Sequence, residues 1–337
     1  MDFWRGKRVL VTGGAGFVGS YLTELLVRRG ARVTVADDLS RTDGDASRLA
    51  AVRGKVRLLR LDLRRPSACR TACRGQQVVL NLAAKVTGIE YNRFHMAEMF
   101  EANMLLQMNV LHAAHACGVR RFLQVSTACI YPHDAKVPTP ETEGERGSPE
   151  PTNEGYGLAK RMGEKLALYY AAEKAMDVVI ARPFNAYGPR DHYDEGSSHV
   201  VPALIRRVLE GQDPVVIWGT GRQSRVFVHA RDLAMGLLLV AEKAPRGTIV
   251  NVGHNREVTI RQLFVMICRV LRRRPKAHYD TSKPDGYPRR AADTRLLRRL
   301  TGFVPSVPLE RGIREMAVEL SGSDIGRSGQ SSRRRNR

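Results

Sequence analysis

The strongest constraint on this chain lies near its N-terminus. Arg8-Val-Leu-Val-Thr12 is a β-branched run of strand length, and Phe17–Arg29 repeats its apolar residues at helical spacing. Gly13-Gly-Ala-Gly-Phe-Val-Gly19 joins the two. Glycines at this G-x-x-G-x-x-G spacing let a strand turn sharply into a helix. They also let the backbone approach a pyrophosphate, which then rests on the helix N-terminus. By itself the pattern is a weak signal, equally compatible with a plain strand–helix turn, but its setting strengthens it. A second strand, Arg32-Val-Thr-Val-Ala36, ends at Asp37 and Asp38. A carboxylate there accepts a ribose 2′-hydroxyl and repels a 2′-phosphate, so the pattern favours NAD over NADP. The predicted coenzyme cradle is Gly13, Gly16, Phe17, Val18 and Gly19, with Asp37 and Asp38 at the ribose. Asp62 and Leu63, after a third strand, are placed for the adenine edge, and Ala83 follows a fourth.

The alternation continues. Val56–Leu61, Val78–Leu82 and Phe122–Ser126 are further strands, and Met99–Cys117 is a long helix. Strand–helix alternation gives a parallel sheet covered on both faces, and the right-handed crossover rule makes it doubly wound. The expected fold class is therefore α/β of Rossmann type with a smaller, mixed C-terminal substrate domain. Residues 1–182 form the NAD-binding domain, with 226–255 returning to it. Residues 183–225 and 256–318 form the substrate-binding domain, and 319–337, rich in Ser, Gly and Arg, a disordered basic tail. Residues 132–155, rich in Pro, Glu, Gly and Thr, read as a surface loop.

Composition narrows the function classes. A length of 337 residues is roughly two domains' worth. No apolar run reaches the ~18–20 residues of a membrane span, and no basic-plus-apolar leader precedes the first strand, so a cytoplasmic protein is expected. Five scattered cysteines make no disulfide framework, and no His/Cys spacing matches a zinc site, so no metal is expected. The net charge of +21 invites a polyanion reading. The arginines are spread along the whole chain, however, and only Arg333–Arg337 is a cluster. A broadly solvated basic surface that also suits an anionic substrate explains this better than specific nucleic-acid binding.

Tyr156-Gly-Leu-Ala-Lys160 opens another helix, and spacing of four puts both side chains on one face. A lone Y-x-x-x-K is most often an exposed helix face. Downstream of a dinucleotide loop and near Ser126-Thr127, it becomes an acid–base pair. A lysine ammonium and an oxidised nicotinamide would both favour the phenolate, and Thr127 can hydrogen-bond the reacting sugar oxygen.

Gly13–Gly19, Asn81-Leu-Ala-Ala84, Ser126-Thr127 and Tyr156/Lys160 together resemble the extended short-chain dehydrogenase/reductase (NAD-dependent epimerase/dehydratase) family of nucleotide-sugar enzymes, over about residues 6–315. Four longer stretches are similar to the GDP-L-fucose synthases and GDP-mannose 3,5-epimerases of that family. They are Ser126–Pro132, Glu150–Glu154, Ser198–Leu204 and Ser282–Gly286. The resemblance implies that Cys129 and His199 exchange protons with carbon on opposite faces of a 4-keto sugar. It implies that Arg207, Trp218 and Arg225 bind the substrate's diphosphate and base, with Asn185 near the sugar and Asp285 beside it. A homodimer through the helices at 99–117 and 156–174 is implied as well. Ala128-Cys129 stands where nucleotide-sugar 4,6-dehydratases have an acidic pair, so dehydration lacks its acid.

One departure bears on the reaction. The fucose synthases carry out a net reduction with NADPH and lack an acid after the second strand, which this chain has. The leading expectation is accordingly an NAD-dependent epimerase of a GDP-hexose at C3 and/or C5, passing through a transient 4-keto intermediate. The second is a GDP-4-keto-6-deoxyhexose 3,5-epimerase/4-reductase. A third, of another class, is a non-catalytic NAD-sensing or nucleic-acid-binding protein on the same fold. Retention of the Tyr/Lys pair argues against the third.

Overall fold

The computed structural model describes residues 2–42, 44–193, 198–283 and 286–331. Seven parallel strands form the central sheet. Six are β1 (Arg8–Thr12), β2 (Arg32–Asp37), β3 (Val56–Arg60), β4 (Val78–Asn81), β5 (Arg121–Val125) and β6 (Asp177–Pro183). The seventh, Ile249–Val252, pairs with β6, and the order across the sheet is Ile249–Val252, β6, β5, β4, β1, β2, β3. This is the expected doubly wound α/β fold. The chain order reverses between β1 and β4, which opens a crevice at the carboxyl ends of those strands.

Helices α1 (Phe17–Arg28), α2 (Pro66–Cys73), α3 (Ile89–Phe94), α4 (Met96–Ala116) and α5 (Glu154–Glu173) follow the strands, and α6 (Val200–Leu209) and α7 (Ala230–Lys243) come later. Alternate residues of each central strand face opposite layers. Val9, Val11, Val250 and Val252 pack with Leu22 and Leu26 of α1 and Leu237 of α7. Leu10, Val79, Phe122 and Ile180 pack with Val110 of α4 and Ala167 of α5. Burial on both faces is why these strands read as continuous apolar runs in the sequence.

A separate core gathers Leu204 and Ile205 of α6, Ile217, Leu263 and Ile267 of α8 (Ile260–Leu271), and Ile313 and Met316. Helix α9 (Arg295–Thr301) packs beside α7, and α10 (Leu309–Ser331) carries Ile313 and Met316. The strands here are short. Val215–Trp218 pairs with Ala277–Asp280, and Ser224–Val226 lies between Glu257–Thr259 and Arg289–Arg290.

Two expectations need correcting. The stretch 132–155 is not a loose surface loop. Glu143, Glu150 and Thr139 are buried, Thr139 bridges to Ala292, and Glu141 accepts the amide of Asn251 (2.9 Å). Its polar composition reflects partners supplied by distant segments. The backbone of residues 319–331 is helical rather than disordered, because α10 continues to Ser331. Ile313, Met316, Ala317 and Leu320 anchor its first part on the second core. Residues 332–337 lie outside the described residues. No helix of the described residues is long and apolar enough to cross a membrane.

Candidate active site

The Gly13–Gly19 turn lies at the mouth of the crevice. Gly13 has φ +66°, and a Cβ on it would sit 3.0 Å from the backbone nitrogen of Ala83. A Cβ on Gly19 would collide with the Gly13 carbonyl, so only glycine lets α1 start this close to the turn. Gly16 is the N-cap of α1 and offers no capping side chain, which leaves the amides of that first turn, including Phe17 and Val18, for an anionic group. Asp37 ends β2 with its carboxylate held by the amides of Ala15 (3.0 Å) and Leu39 (2.9 Å). Burial raises its pKa, and the two amides oppose that rise. Asp38 caps Ser40 (3.0 Å). Asp62 is bound by the Arg64 side chain (2.9 Å), whose hydrogen bonds hold its carboxyl below the usual range, and the adjoining Leu63 is buried. Uncapped helix amides and an oriented acid beside them form a donor and acceptor set that fits a dinucleotide.

A buried chain of hydrogen bonds ties this turn to α5. Thr12 accepts the amide of Ala83 (3.0 Å) and donates to Asn81 (2.6 Å). Asn81 donates to Gln124 (3.0 Å), Gln124 to Gln107 of α4 (2.8 Å), and Gln107 to the carbonyl of Ala159 in α5 (3.0 Å). Fully satisfied buried networks rigidify what they join.

Tyr156 and Lys160 lie on the sheet-facing side of α5, both buried. Lys160 Nζ donates to the Val125 carbonyl (2.9 Å). Burial brings the Lys160 pKa down to about 8, against a smaller upward pull from Glu164. Burial pushes the Tyr156 pKa well above its ordinary value and a charge on Cys129 adds to that, while the hydrogen bond with Thr127 and the Arg290 guanidinium oppose it. Tyr156 is hydrogen-bonded to Thr127, and Lys160, one helical turn on, is engaged by the Val125 carbonyl.

Cys129 follows on the short turn Ala128–Ile130, with its amide donating to Thr127 Oγ1 (3.2 Å). A Cβ at Gly157 would lie 2.6 Å from the Cys129 carbonyl, so α5 presses directly on this turn. His199, the N-cap of α6, comes from the other half of the molecule. Its side chain is exposed over 48% of its surface. Desolvation opposes its charged form, but the Asp191 carboxylate, 3.4 Å from Nδ1, and a charge on Cys129 outweigh it and raise the imidazole pKa. The structure thus brings Thr127, Cys129, Tyr156 and His199 into one electrostatic neighbourhood, with Lys160 behind Tyr156.

Sequence reasoning missed two members. Arg290 hydrogen-bonds the Cys129 side chain and lies 4.7 Å from the ring of Tyr287. Burial disfavours its charge, and the Cys129 and Tyr287 charges more than compensate. Its strand is stapled to the Cys129 turn by Tyr287 Oη, which donates to the Tyr131 carbonyl (2.8 Å), and by Ala291 and Ala292 packing on Ile130. The other is Asp191, 1% exposed at its side chain. Neither carried a spacing signal, since each meets its partner only through the tertiary fold.

The predicted substrate residues cluster in the C-terminal part. Arg207 of α6 donates to the Val216 carbonyl (2.5 Å), and Trp218 ends that same strand with Lys283 above its ring (5.4 Å). Arg225 pairs in register with Arg290 and donates to the Tyr287 carbonyl (2.5 Å). Asn185 donates to the Val226 carbonyl (2.9 Å), so it braces the segment that enters this sheet. Asp285 lies outside the described residues.

Comparison with known proteins agrees with this arrangement. Residues 9–253 match the model of the NAD dependent epimerase/dehydratase family, and the chain belongs to that family. It is 37% identical over 318 residues to a probable GDP-L-fucose synthase 1 of Oryza sativa subsp. japonica, covering 92% of this chain and 91% of that protein. It is 35% identical over 320 residues to the GDP-L-fucose synthase of Escherichia coli (strain K12), covering 91% and 94%. The crystal structure of Thermus thermophilus UDP-glucose 4-epimerase in complex with NAD superimposes with a TM-score of 0.81 at 28% identity, over 94% of this chain and 99% of that one. The chain is thus an enzyme of a family whose coenzyme is NAD.

Proposed function

We propose that the chain is an NAD(H)-dependent 3,5-epimerase/4-reductase of a GDP-linked 4-keto-6-deoxyhexose, the second of the two enzyme readings of the sequence. The likeness to the rice and E. coli synthases supports the substrate class. The observation that carries the choice of reaction is that this likeness runs at 35–37% identity over more than nine-tenths of the chain. A redox-neutral epimerase must first oxidise C4, whereas a reductase has a phenol give its proton to the C4 oxygen, the part assigned to Tyr156.

The C4 carbonyl acidifies the C3 and C5 hydrogens. Cys129, beside Arg290, takes one from carbon, and the enolate charge on the C4 oxygen meets the hydroxyls of Thr127 and Tyr156. His199, on the opposite side, returns a proton to the other face, which inverts the carbon. NADH, when bound, would supply the hydride that reduces C4. As that happens, Tyr156 Oη protonates the oxygen, and Lys160 holds the nicotinamide ribose. Gly13–Gly19 cradles the pyrophosphate, and Asp37 takes the ribose hydroxyls, so NADH is preferred over NADPH. Arg207 and Arg225 bind the diphosphate with forked donors, and Trp218 offers a face to the base.

A second copy of the chain covers α4 and α5, where Leu105, Met162 and Tyr169 are exposed. The direct test is purified enzyme with GDP-, UDP- and dTDP-linked 4-keto-6-deoxyhexoses and either reduced coenzyme. The expected result is stoichiometric NADH oxidation with the GDP sugar. Turnover of a 4-hydroxy GDP-hexose without added coenzyme would instead restore the redox-neutral reading.

A further inference from the structure

His199 does not stand alone in the cleft. Asp191 is placed eight residues before it and is almost wholly buried, with 1% of its side-chain surface exposed. A buried carboxylate needs partners. Asp191 Oδ1 accepts the backbone amide of His192 (2.8 Å), which fixes the plane of the group, and Oδ2 lies 3.4 Å from His199 Nδ1. Asp191 is also the charge that acts most on Arg48, which is half-buried in the turn Ser47–Val52 and has an Nη1 with no hydrogen-bond partner among the described residues. That turn follows β2, whose tip carries Asp37. Arg48, Asp191 and His199 therefore run from the coenzyme half of the molecule to the substrate half.

We propose that Asp191 is a positioning residue for the proton exchange at carbon: its carboxylate accepts the Nδ1–H of His199, so that Nε2 is the atom presented to the sugar. Which ring nitrogen works in a histidine is set by the hydrogen bond that the other makes. Fixing Nδ1–H on Asp191 fixes the neutral tautomer, and the same carboxylate favours the imidazolium that must hold a proton before returning it to carbon. The other charges that face the ring, Cys129 and Arg41, act in opposite directions, Cys129 favouring the charged ring and Arg41 opposing it. Asp191 both favours the charged ring and hydrogen-bonds it.

The part played at carbon rests on the 3,5-epimerase/4-reductase reading, but the pairing is testable without turnover. Nitrogen-15 NMR of His199 in the full-length wild-type protein, assigned by its loss in His199→Gln, is expected to show the Nδ1–H tautomer in the neutral ring. In Asp191→Asn, which keeps an acceptor for the His192 amide, the His199 midpoint should move to lower pH, and Asp191→Glu should restore it. The rate of solvent-deuterium exchange into the 4-keto sugar should fall in Asp191→Asn by roughly 10–100-fold, as losses of a partner behind a working histidine do, and the pH limb owed to His199 should move with the NMR midpoint. An Nε2–H tautomer in the wild type, or an unmoved midpoint in a folded Asp191→Asn protein, overturns the proposal. Absence of exchange with the wild-type enzyme on every sugar tested, while the NMR shift persists, overturns the assigned reaction and upholds the pairing.

Discussion

The two halves of the molecule are built on different length scales. In the coenzyme half, each strand of the central sheet has its covering helix nearby in sequence, and the features that matter are contiguous: one turn, one strand tip, one helix face. In the substrate half, paired strands are two to four residues long and come from segments far apart. Ser224–Val226, for example, lies between Glu257–Thr259 and Arg289–Arg290. The first half sets a fixed chemistry at one place. The second half delivers single side chains, His199, Arg290 and Arg225, onto that place from three different segments. Substitutions in the two halves should therefore separate coenzyme chemistry from carbon chemistry.

The sharpest separation is expected at Tyr156. Tyr156→Phe removes the proton donor for C4, and steady-state reduction should fall at least about 10³-fold. NADH binding, followed by fluorescence titration, should change little. Cys129→Ser should cut solvent-deuterium incorporation at carbon by roughly 10²–10⁴-fold, while reduction of a sugar already in the final configuration continues. Unchanged incorporation would remove Cys129 from the chemistry.

Stability probes the support beneath the Cys129 turn. Arg182 of β6 and Glu164 of α5 form a buried bidentate pair (2.9 and 2.7 Å), and Arg182 also donates to Tyr131 Oη (3.0 Å) beneath the Cys129 turn. Glu164→Ala leaves that guanidinium without its carboxylate and should cost about 3–5 kcal/mol in chemical denaturation. Arg207→Ala should raise the KM for the GDP sugar on the order of tenfold, equivalent to about 1.4 kcal/mol of a charged contact, and leave the KM for NADH unmoved.

Burial of Lys160 also sets a pH dependence. The Lys160 pKa is brought down to about 8 from 10.5 by burial. Between those values the unfolded chain binds more protons than the folded one, so stability rises with pH over that window. Lys160→Met should abolish that rise, as read by denaturation at pH 7, 9 and 10.

How much of this was legible in the sequence follows the same division. The Gly13–Gly19 turn, Asp37, Thr127 and the Tyr156/Lys160 pair are local patterns, and the order of strands follows from strand–helix alternation. Cys129 and His199 came through resemblance, because nothing in their spacing says that they meet. Arg290 and Asp191 had no local mark. Each acquires its role from a partner that lies more than 100 residues along the chain in one case, and eight residues along it in the other. The stretch 132–155 looked like a plain surface loop because the partners that Glu141 and Thr139 meet, Asn251 and Ala292, lie more than 100 residues away. The state of Tyr156 depends on burial, which periodicity does not report.

One experiment tests the central claim directly. Enzyme, NADH and a GDP-4-keto-6-deoxyhexose are combined in deuterated water, and product mass is followed alongside coenzyme absorbance. The account predicts carbon-bound deuterium at the inverted centres and one NADH oxidised per product. Deuterium uptake with no net coenzyme consumption, or NADH oxidation with no deuterium on carbon, would contradict it.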